Sequence, residues 1–167
     1  MPVDAPVLDS ASFRALFRAH PAGVVVVTLD AGAGPAGFTA TSFGSLSADP
    51  PLAAFAVDRA SSCWPHLRQA PAVVVNLLGD DGPETARRFA TSGIDRFAAP
   101  TRWHRLPGGE PVLDDAAHWL RASITEVLPT GDHHLVIARI VEIHLGPDSG
   151  GLVYHGGAFH LVGRRHG

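Results

Sequence analysis

Val24-Val25-Val26-Val27-Thr28-Leu29 is the segment that most limits what this chain can fold into. β-Branched side chains restrict χ1 and fit a pleated, packed surface better than a helix. A strand with one wet face alternates apolar and polar residues, and this run does not alternate. It therefore predicts a central strand buried on both faces. Such a strand needs a packed layer on each side. A chain of 167 residues can supply them, because roughly two-thirds of its surface is removed from water on folding. With 46% hydrophobic and 17% charged residues, disorder is excluded.

The remaining pattern is also strand-rich. Phe13, Leu16 and Phe17 share one helical face behind a cap at Asp9 or Ser10, and Pro21 and Gly23 end that helix. Asp30-Ala31-Gly32 opens a hairpin turn that runs to Pro35. Gly37 to Ser47 has strand period, with Thr39, Thr41, Phe43, Ser45 and Ser47 on one face and Phe38, Ala40, Ser42, Gly44 and Leu46 on the other. Asp49-Pro50-Pro51 turns the chain into a buried strand, Leu52 to Val57. Ser61 or Ser62 caps a short helix with Trp64 and Leu67, and Ala72 to Leu78 is again strand. Pro83 to Ala90 reads as a helix with proline in its first turn. Residues 91–111 read as loop with aromatic anchors. Ala117 to Val127 and His134 to Leu145 read as strands joined at Pro129-Thr130-Gly131-Asp132, then come a short strand, Leu152 to His155, and a tail from Phe159 to Val162. The expectation is one domain over residues 1–167, mostly β with helices at the rim. A β-barrel with peripheral helices hides the strand edges most simply.

Charge and composition exclude several functions. The net charge is −3, and all 13 basic residues are arginine, with no footprint for nucleic acid. Cys63 is the single cysteine, so no internal disulfide or CxxC metal site is available. No apolar run approaches the roughly 20 residues that cross a bilayer. Asp4 without a basic region argues against a leader peptide, so a cytoplasmic protein with no membrane partner is expected.

Few segments carry chemistry. Thr39, Thr41, Ser42, Ser45 and Ser47 put hydroxyls beside small residues such as Ala40, which let a flat ligand approach the backbone. The plainer reading is a solvated face of good strand formers. Asp58 to Ser62 follows a buried strand and opens a helix. Such a start holds a phosphate, or is an ordinary serine cap. The ten histidines include no HxH or HExxH spacing, which argues against a metal, whereas His133 at the Gly131-Asp132 turn suits a hydrogen-bonding group at a ligand edge. His134 must face the other way. Cys63 near a helix start is a weak nucleophile candidate against the common case of a buried, inert thiol. Neither GxSxG nor GxGxxG occurs.

Taken in order, several pieces are similar to the flavin reductase-like family, over about residues 10–163. They are Pro21-Ala22-Gly23-Val24, Gly37-Phe38-Thr39-Ala40-Thr41-Ser42-Phe43, Ser45-Leu46-Ser47-Ala48-Asp49-Pro50-Pro51-Leu52 and Val75-Asn76-Leu77-Leu78. Arg88-Phe89-Ala90, Asp95-Arg96-Phe97, Gly131-Asp132-His133 and Leu152-Val153-Tyr154 with Phe159 complete the set. The resemblance implies a six-stranded antiparallel split barrel of the FMN-binding type, acting as a homodimer with flavin at the subunit interface. It implies hydride transfer from NADH or NADPH to FMN or FAD, and in many members delivery of reduced flavin to a separate monooxygenase. By position, Thr39, Ala40, Thr41 and Ser42 match the segment beside the flavin ring, and Asp58, Ser61 and Ser62 match the loop at the ribityl chain and phosphate. Phe97 and Tyr154 match aromatics near the pocket, and His133 matches a histidine near the nicotinamide. Where some relatives carry a basic residue, Thr91 and Ser92 stand here, which leaves phosphate binding to hydroxyls, backbone and Arg88 or Arg96.

Two other readings compete. One is a flavin-binding electron carrier or store of the same fold without nicotinamide turnover. The other is a β-barrel scaffold without cofactor. His133 favours the enzyme over the first, and the hydroxyl-rich strand disfavours the second.

Overall fold

The computed structural model describes residues 7–163; Asp4, on which the leader reading rests, lies outside them. Helix α1 (Ser10–Ala19) starts where Asp9 accepts the Ser12 backbone N–H at 2.7 Å. It leads through β1 (Ala22–Gly23) into β2 (Val25–Leu29), the valine strand, and β3 (Ala36–Ala40). Then come β4 (Gly44–Ala48), β5 (Pro51–Asp58), the short α2 (Trp64–Leu67), β6 (Ala72–Leu77) and α3 (Gly82–Ala90). A small hairpin of β7 (Trp103–Arg105) and β8 (Pro111–Leu113) precedes the two long strands β9 (His118–Thr130) and β10 (His133–Leu145). The described chain ends in β11 (Gly151–His155) and β12 (Ala158–Val162).

Seven strands form the main antiparallel sheet, in the order β3-β2-β6-β9-β10-β5-β4. Its two edge strands, β3 and β4, are consecutive in the chain and joined only by Thr41, Ser42 and Phe43. Flat, the edges of seven strands would stand about 29 Å apart. The link from Ala40 to Gly44 reaches at most about 14 Å, so the sheet must curl until its edges approach. The single strand expected over Gly37–Ser47 is therefore two. Counted as one bent strand, β3 and β4 leave six in the sheet. The break also resets the face pattern: Phe43 packs against the cluster of Phe38 and Ala40, not with Thr39 as unbroken alternation requires.

The valine strand behaves as its composition dictates. Every residue of β2 is buried. Val25, Val27 and Leu29 enter the core enclosed by the sheet, with Phe38, Phe55, Val57, Val73, Val75 and Val136. Val24 and Val26 face the opposite way, into a second core with Leu78, Ala86, Phe89, Phe97, Leu113 and Leu152. That second core is covered by α3 and the β7–β8 hairpin. A Cβ on Gly37 would lie 2.9 Å from the Phe89 ring, so β3 and α3 touch almost backbone to ring.

Two expectations for the second half need correction. Residues 91–111 are not loop throughout, because Trp103 to Arg105 pairs with Pro111 to Leu113. The tail at Phe159–Val162 is a strand paired with β11. A buried polar cluster fixes the first of these. Asn76 donates to the Val26 carbonyl and the Thr28 hydroxyl, both at 3.0 Å, and accepts the Leu113 N–H at 2.9 Å. Thr28 donates to the Pro111 carbonyl. No local pattern around 103–113 signals a strand; its partners lie in β2 and β6.

Beside this cluster Glu110 is buried and paired with Arg121 at 2.8 Å, and its Oε2 has no partner. The Arg121 hydrogen bond holds its carboxyl below the ordinary value of 4.5 despite burial. A depressed carboxyl stabilises the fold above its unfolded value and loses that contribution as pH falls through the folded one. The thermal midpoint should therefore decline as pH drops below about 4.5. Glu110→Gln should flatten that acid limb, and calorimetry of both proteins between neutral and acid pH checks it.

Candidate functional site

A cleft of about 510 Å³ opens where β3, the end of β5, the loop after it and α3 meet. It is lined by Thr39, Ala40, Thr41, Ser42, Asp58, Ser61, Ser62, Ser92 and His133, nine of the residues singled out from sequence. They come from four separate segments. β3 and the link after it bring the first four, the end of β5 and the loop after it bring Asp58, Ser61 and Ser62, the α3 exit brings Ser92, and the β9–β10 hairpin brings His133.

Each position has a local cause. β5 and β10 pair antiparallel with His133 opposite Asp58, so ladder register alone puts the histidine beside the loop. The hairpin turn is two residues, Gly131-Asp132, shorter than the expected four. Gly131 has φ 60°, which a two-residue turn with glycine first requires. The Arg59 N–H donates to the Asp132 carbonyl at 3.1 Å and ties loop to hairpin. Ser42 stands where β4 no longer covers β5, and its hydroxyl accepts the Ala56 N–H at 2.8 Å. Thr39 donates to the Ala86 carbonyl at 2.7 Å and fixes α3. These two hydroxyls build the wall, whereas Ser45 and Ser47 leave with β4 and do not line the cleft.

The helix-start expectation needs revision. The N-cap of α2 is Cys63 and not a serine, and the helix has only four residues. Ser61 instead accepts the Cys63 N–H at 3.2 Å in the turn before it. Asp58 accepts the Ala60 N–H at 2.7 Å. Cys63 is buried and donates through Sγ to the Gly37 carbonyl at 3.1 Å, the inert reading of that thiol.

Two predicted residues lie elsewhere. Phe97 is buried in the second core, edge-on to both Phe89 and Trp103 at 5.2 Å, and lines a smaller cavity behind the cleft. It supports Phe89, which does line the cleft. Tyr154 lines two neighbouring grooves, with Thr41 shared between them and the cleft, but not the part that His133 reaches. Of the two arginines considered for an anion, Arg88 pairs with Glu84 at 3.8 Å on α3. Arg96 reaches the cleft wall, with Nη1 on the Gly37 carbonyl at 2.7 Å and Nε on the Thr91 carbonyl at 3.0 Å.

His133 is half-exposed, with Nδ1 2.6 Å from the Asp132 carboxylate. That hydrogen bond holds the Asp132 carboxyl below its ordinary value. At neutral pH the carboxylate only accepts, so the shared proton sits on Nδ1. In the neutral ring Nε2 is then an acceptor.

Among the described residues no three His, Cys, Asp or Glu side chains group as a metal site. None of the described helices is long and apolar enough to cross a membrane. The site therefore offers a shallow, small-residue wall with hydroxyls, one guanidinium and one oriented imidazole, and no activated nucleophile.

The profile of the flavin reductase like domain matches residues 17–163. This chain belongs to the flavin reductase-like family. It is 44% identical over 152 residues to the NADH:FMN oxidoreductase of Rhodococcus qingshengii, covering 89% of this chain and 79% of that protein. The flavin reductase domain protein of Arthrobacter sp. FB24 superposes with a TM-score of 0.87 at 37% identity, over 94% of this chain and 98% of that one. BorF, the flavin reductase component of a bacterial two-component tryptophan halogenase, gives 0.86 at 30% identity, over 94% and 100%.

The family member's cleft predicts a steric test. Ala40 is buried in the core, so bulk there perturbs packing. Ser42 is exposed at the cleft. Ser42→Trp should fold, lose about 1 kcal/mol with the Ala56 hydrogen bond, and fail to bind FMN. Quenching of flavin fluorescence checks this; wild-type affinity in the folded variant would contradict the placement.

Proposed function

We propose that this chain is an NADH-dependent flavin reductase that takes hydride from NADH to FMN and releases reduced flavin to a separate monooxygenase. The observation that carries it is the convergence of β3, the Asp58–Ser62 loop and His133 on one cleft. The cleft fits a flavin. Ala40, Ala56, Ala60 and Ala90 leave room for a flat ring at the wall, and the hydroxyls of Thr41, Ser61 and Ser62 with Arg96 suit a ribityl chain and phosphate. Bound flavin supplies the hydride acceptor, and bound NADH the donor.

The residues of the chain do the rest. The β3 wall, backed by the buried Phe89, holds the ring plane and excludes water from one side. Ser61, Ser62 and Arg96 fix the anionic end. His133, locked by Asp132, offers Nε2 as an acceptor for the amide of the nicotinamide. Hydride transfer needs no nucleophile and no protein acid at the reacting carbon, so catalysis here is alignment. The oriented His133 favours this reading over an electron carrier, which has no use for a nicotinamide contact. FMN and NADH are preferred to FAD and NADPH on the name of the Rhodococcus relative. Delivery of reduced flavin to a separate partner is supported by BorF, the flavin reductase component of a two-component tryptophan halogenase. Handling NADH, the protein works in the cytoplasm.

A homodimer also belongs to this proposal. Phe13, Leu16 and Phe17 on α1, Val141, Ile143 and Leu145 on β10, and Leu161 and Val162 on β12 are large apolar residues left exposed. Exposed apolar surface of this kind supports an interface. Sedimentation should give twice the chain mass of 17.5 kDa at micromolar concentration, and a monomer under those conditions would count against it.

His133→Ala should raise KM for NADH about tenfold with flavin affinity unchanged, the pattern of a lost donor contact. Steady-state and single-turnover reduction measure it, and unaltered kinetics would remove His133 from the site.

A further inference from the structure

We infer that His134 is a positioning residue for the flavin phosphate: its ring, stacked on Trp64, holds the Asp58–Ser62 wall against the hairpin that carries His133. The two rings lie 3.6 Å apart between centroids and 11° from parallel. His134 is the neighbour of His133 on β10, so the two side chains leave opposite faces of the strand. On its own face His134 is followed by Val136 and Ala138, both buried in the enclosed core. An apolar side chain would suit that place. Instead there is an imidazole whose Nδ1 is buried without a partner. What the ring supplies is a small flat surface for Trp64.

The stack acts on the cleft through backbone bonds. The Trp64 N–H donates to the Ser61 carbonyl at 3.0 Å, and the Ser61 N–H donates to the Asp58 carbonyl at 3.0 Å. The loop is thus held to the hairpin at both ends, by Arg59 on Asp132 at one and Trp64 on His134 at the other. Ser61 and Ser62 lie between the two ties. Removing the stack frees the second tie and loosens the serines, while the β5–β10 ladder and His133 keep their place.

This rests on the proposal that Ser61 and Ser62 face the flavin phosphate, and riboflavin, which lacks it, separates the two claims. NADH oxidation is measured with FMN and with riboflavin for the full chain, for His134→Ala, His134→Leu and His134→Phe, and for the Ser61→Ala/Ser62→Ala double variant. His134→Leu fills the volume without a flat ring and serves if the alanine variant does not fold. The expected result is an FMN-to-riboflavin ratio of kcat/KM that falls about fivefold or more in the alanine and leucine variants, through KM for FMN and with kcat within about twofold. His134→Phe restores the wild-type ratio, because it restores the stack. Trp64 emission should change in the first two variants and less in the third. Equal loss with both flavins, no change with either, or failure of phenylalanine to rescue overturns the role of His134. If the double serine variant keeps the wild-type ratio, the phosphate placement itself fails and this inference falls with it. If the ratio collapses in the serine variant but not in the His134 variants, only the inference falls.

Discussion

Three residues, Thr41 to Phe43, connect strands that lie at opposite edges of a seven-stranded sheet. The shape of the molecule follows from that short link, since the edges must approach within its reach. The same link leaves the end of β5 unpaired on the side away from β10, and the Ser42 hydroxyl takes the backbone N–H that β4 no longer reaches. The cleft opens at this place. A sheet whose pairing ran to the end would have no gap, and a longer link would not hold the gap's width. The curl of the sheet and the opening of the site are two results of one covalent constraint.

The second wall depends on a layer outside the sheet. Val26 of β2 and Val24 just before it point outward, and Phe89 of α3 packs over them with Phe97 and Leu113. Asn76 and Thr28 fix the β7–β8 hairpin against that layer through buried hydrogen bonds. Buried polar groups that are fully paired specify one arrangement, because any shift leaves a donor or acceptor unsatisfied. Here they hold the platform on which α3 rests, and the Thr39 hydroxyl closes the contact between α3 and β3.

Most of this was legible in the sequence where the signal was local. The valine run dictated a strand buried on both faces, and the structure has a core on each side of it. Glycine and proline marked the turns, and of the two candidates for the first helix cap, Asp9 and Ser10, Asp9 takes the place. The misreadings share a cause. Gly37–Ser47 alternates well enough to read as one strand, but its two halves pair at opposite edges of the sheet, which breaks it. Trp103–Arg105 and Pro111–Leu113 have no strand signature, because their pairing is set by Asn76 and Thr28, distant in sequence. Phe97 matched a family position, but its ring lies in the core behind Phe89, and nothing in a linear motif distinguishes a residue lining a cleft from one supporting it. His134 had no role in sequence terms; the partner that gives it one, Trp64, is 70 residues away in the chain.

Nine of the residues singled out from sequence line one cleft, because they sit in motifs that keep order and spacing, while the geometry leaves few of their groups free for a ligand. Thr39 and Ser42 brace the wall, Asp58 turns the loop, and Cys63 is buried. What remains is a flat surface, a pair of serines, Arg96 and an imidazole oriented by a carboxylate, which is the equipment of a protein that aligns two cofactors. The most direct test is oxidation of NADH by the purified protein, followed by loss of the reduced nicotinamide's absorbance with and without added FMN. The account predicts turnover that requires FMN and saturates with it. Absence of turnover in a protein that binds FMN would contradict it and leave an electron carrier in its place.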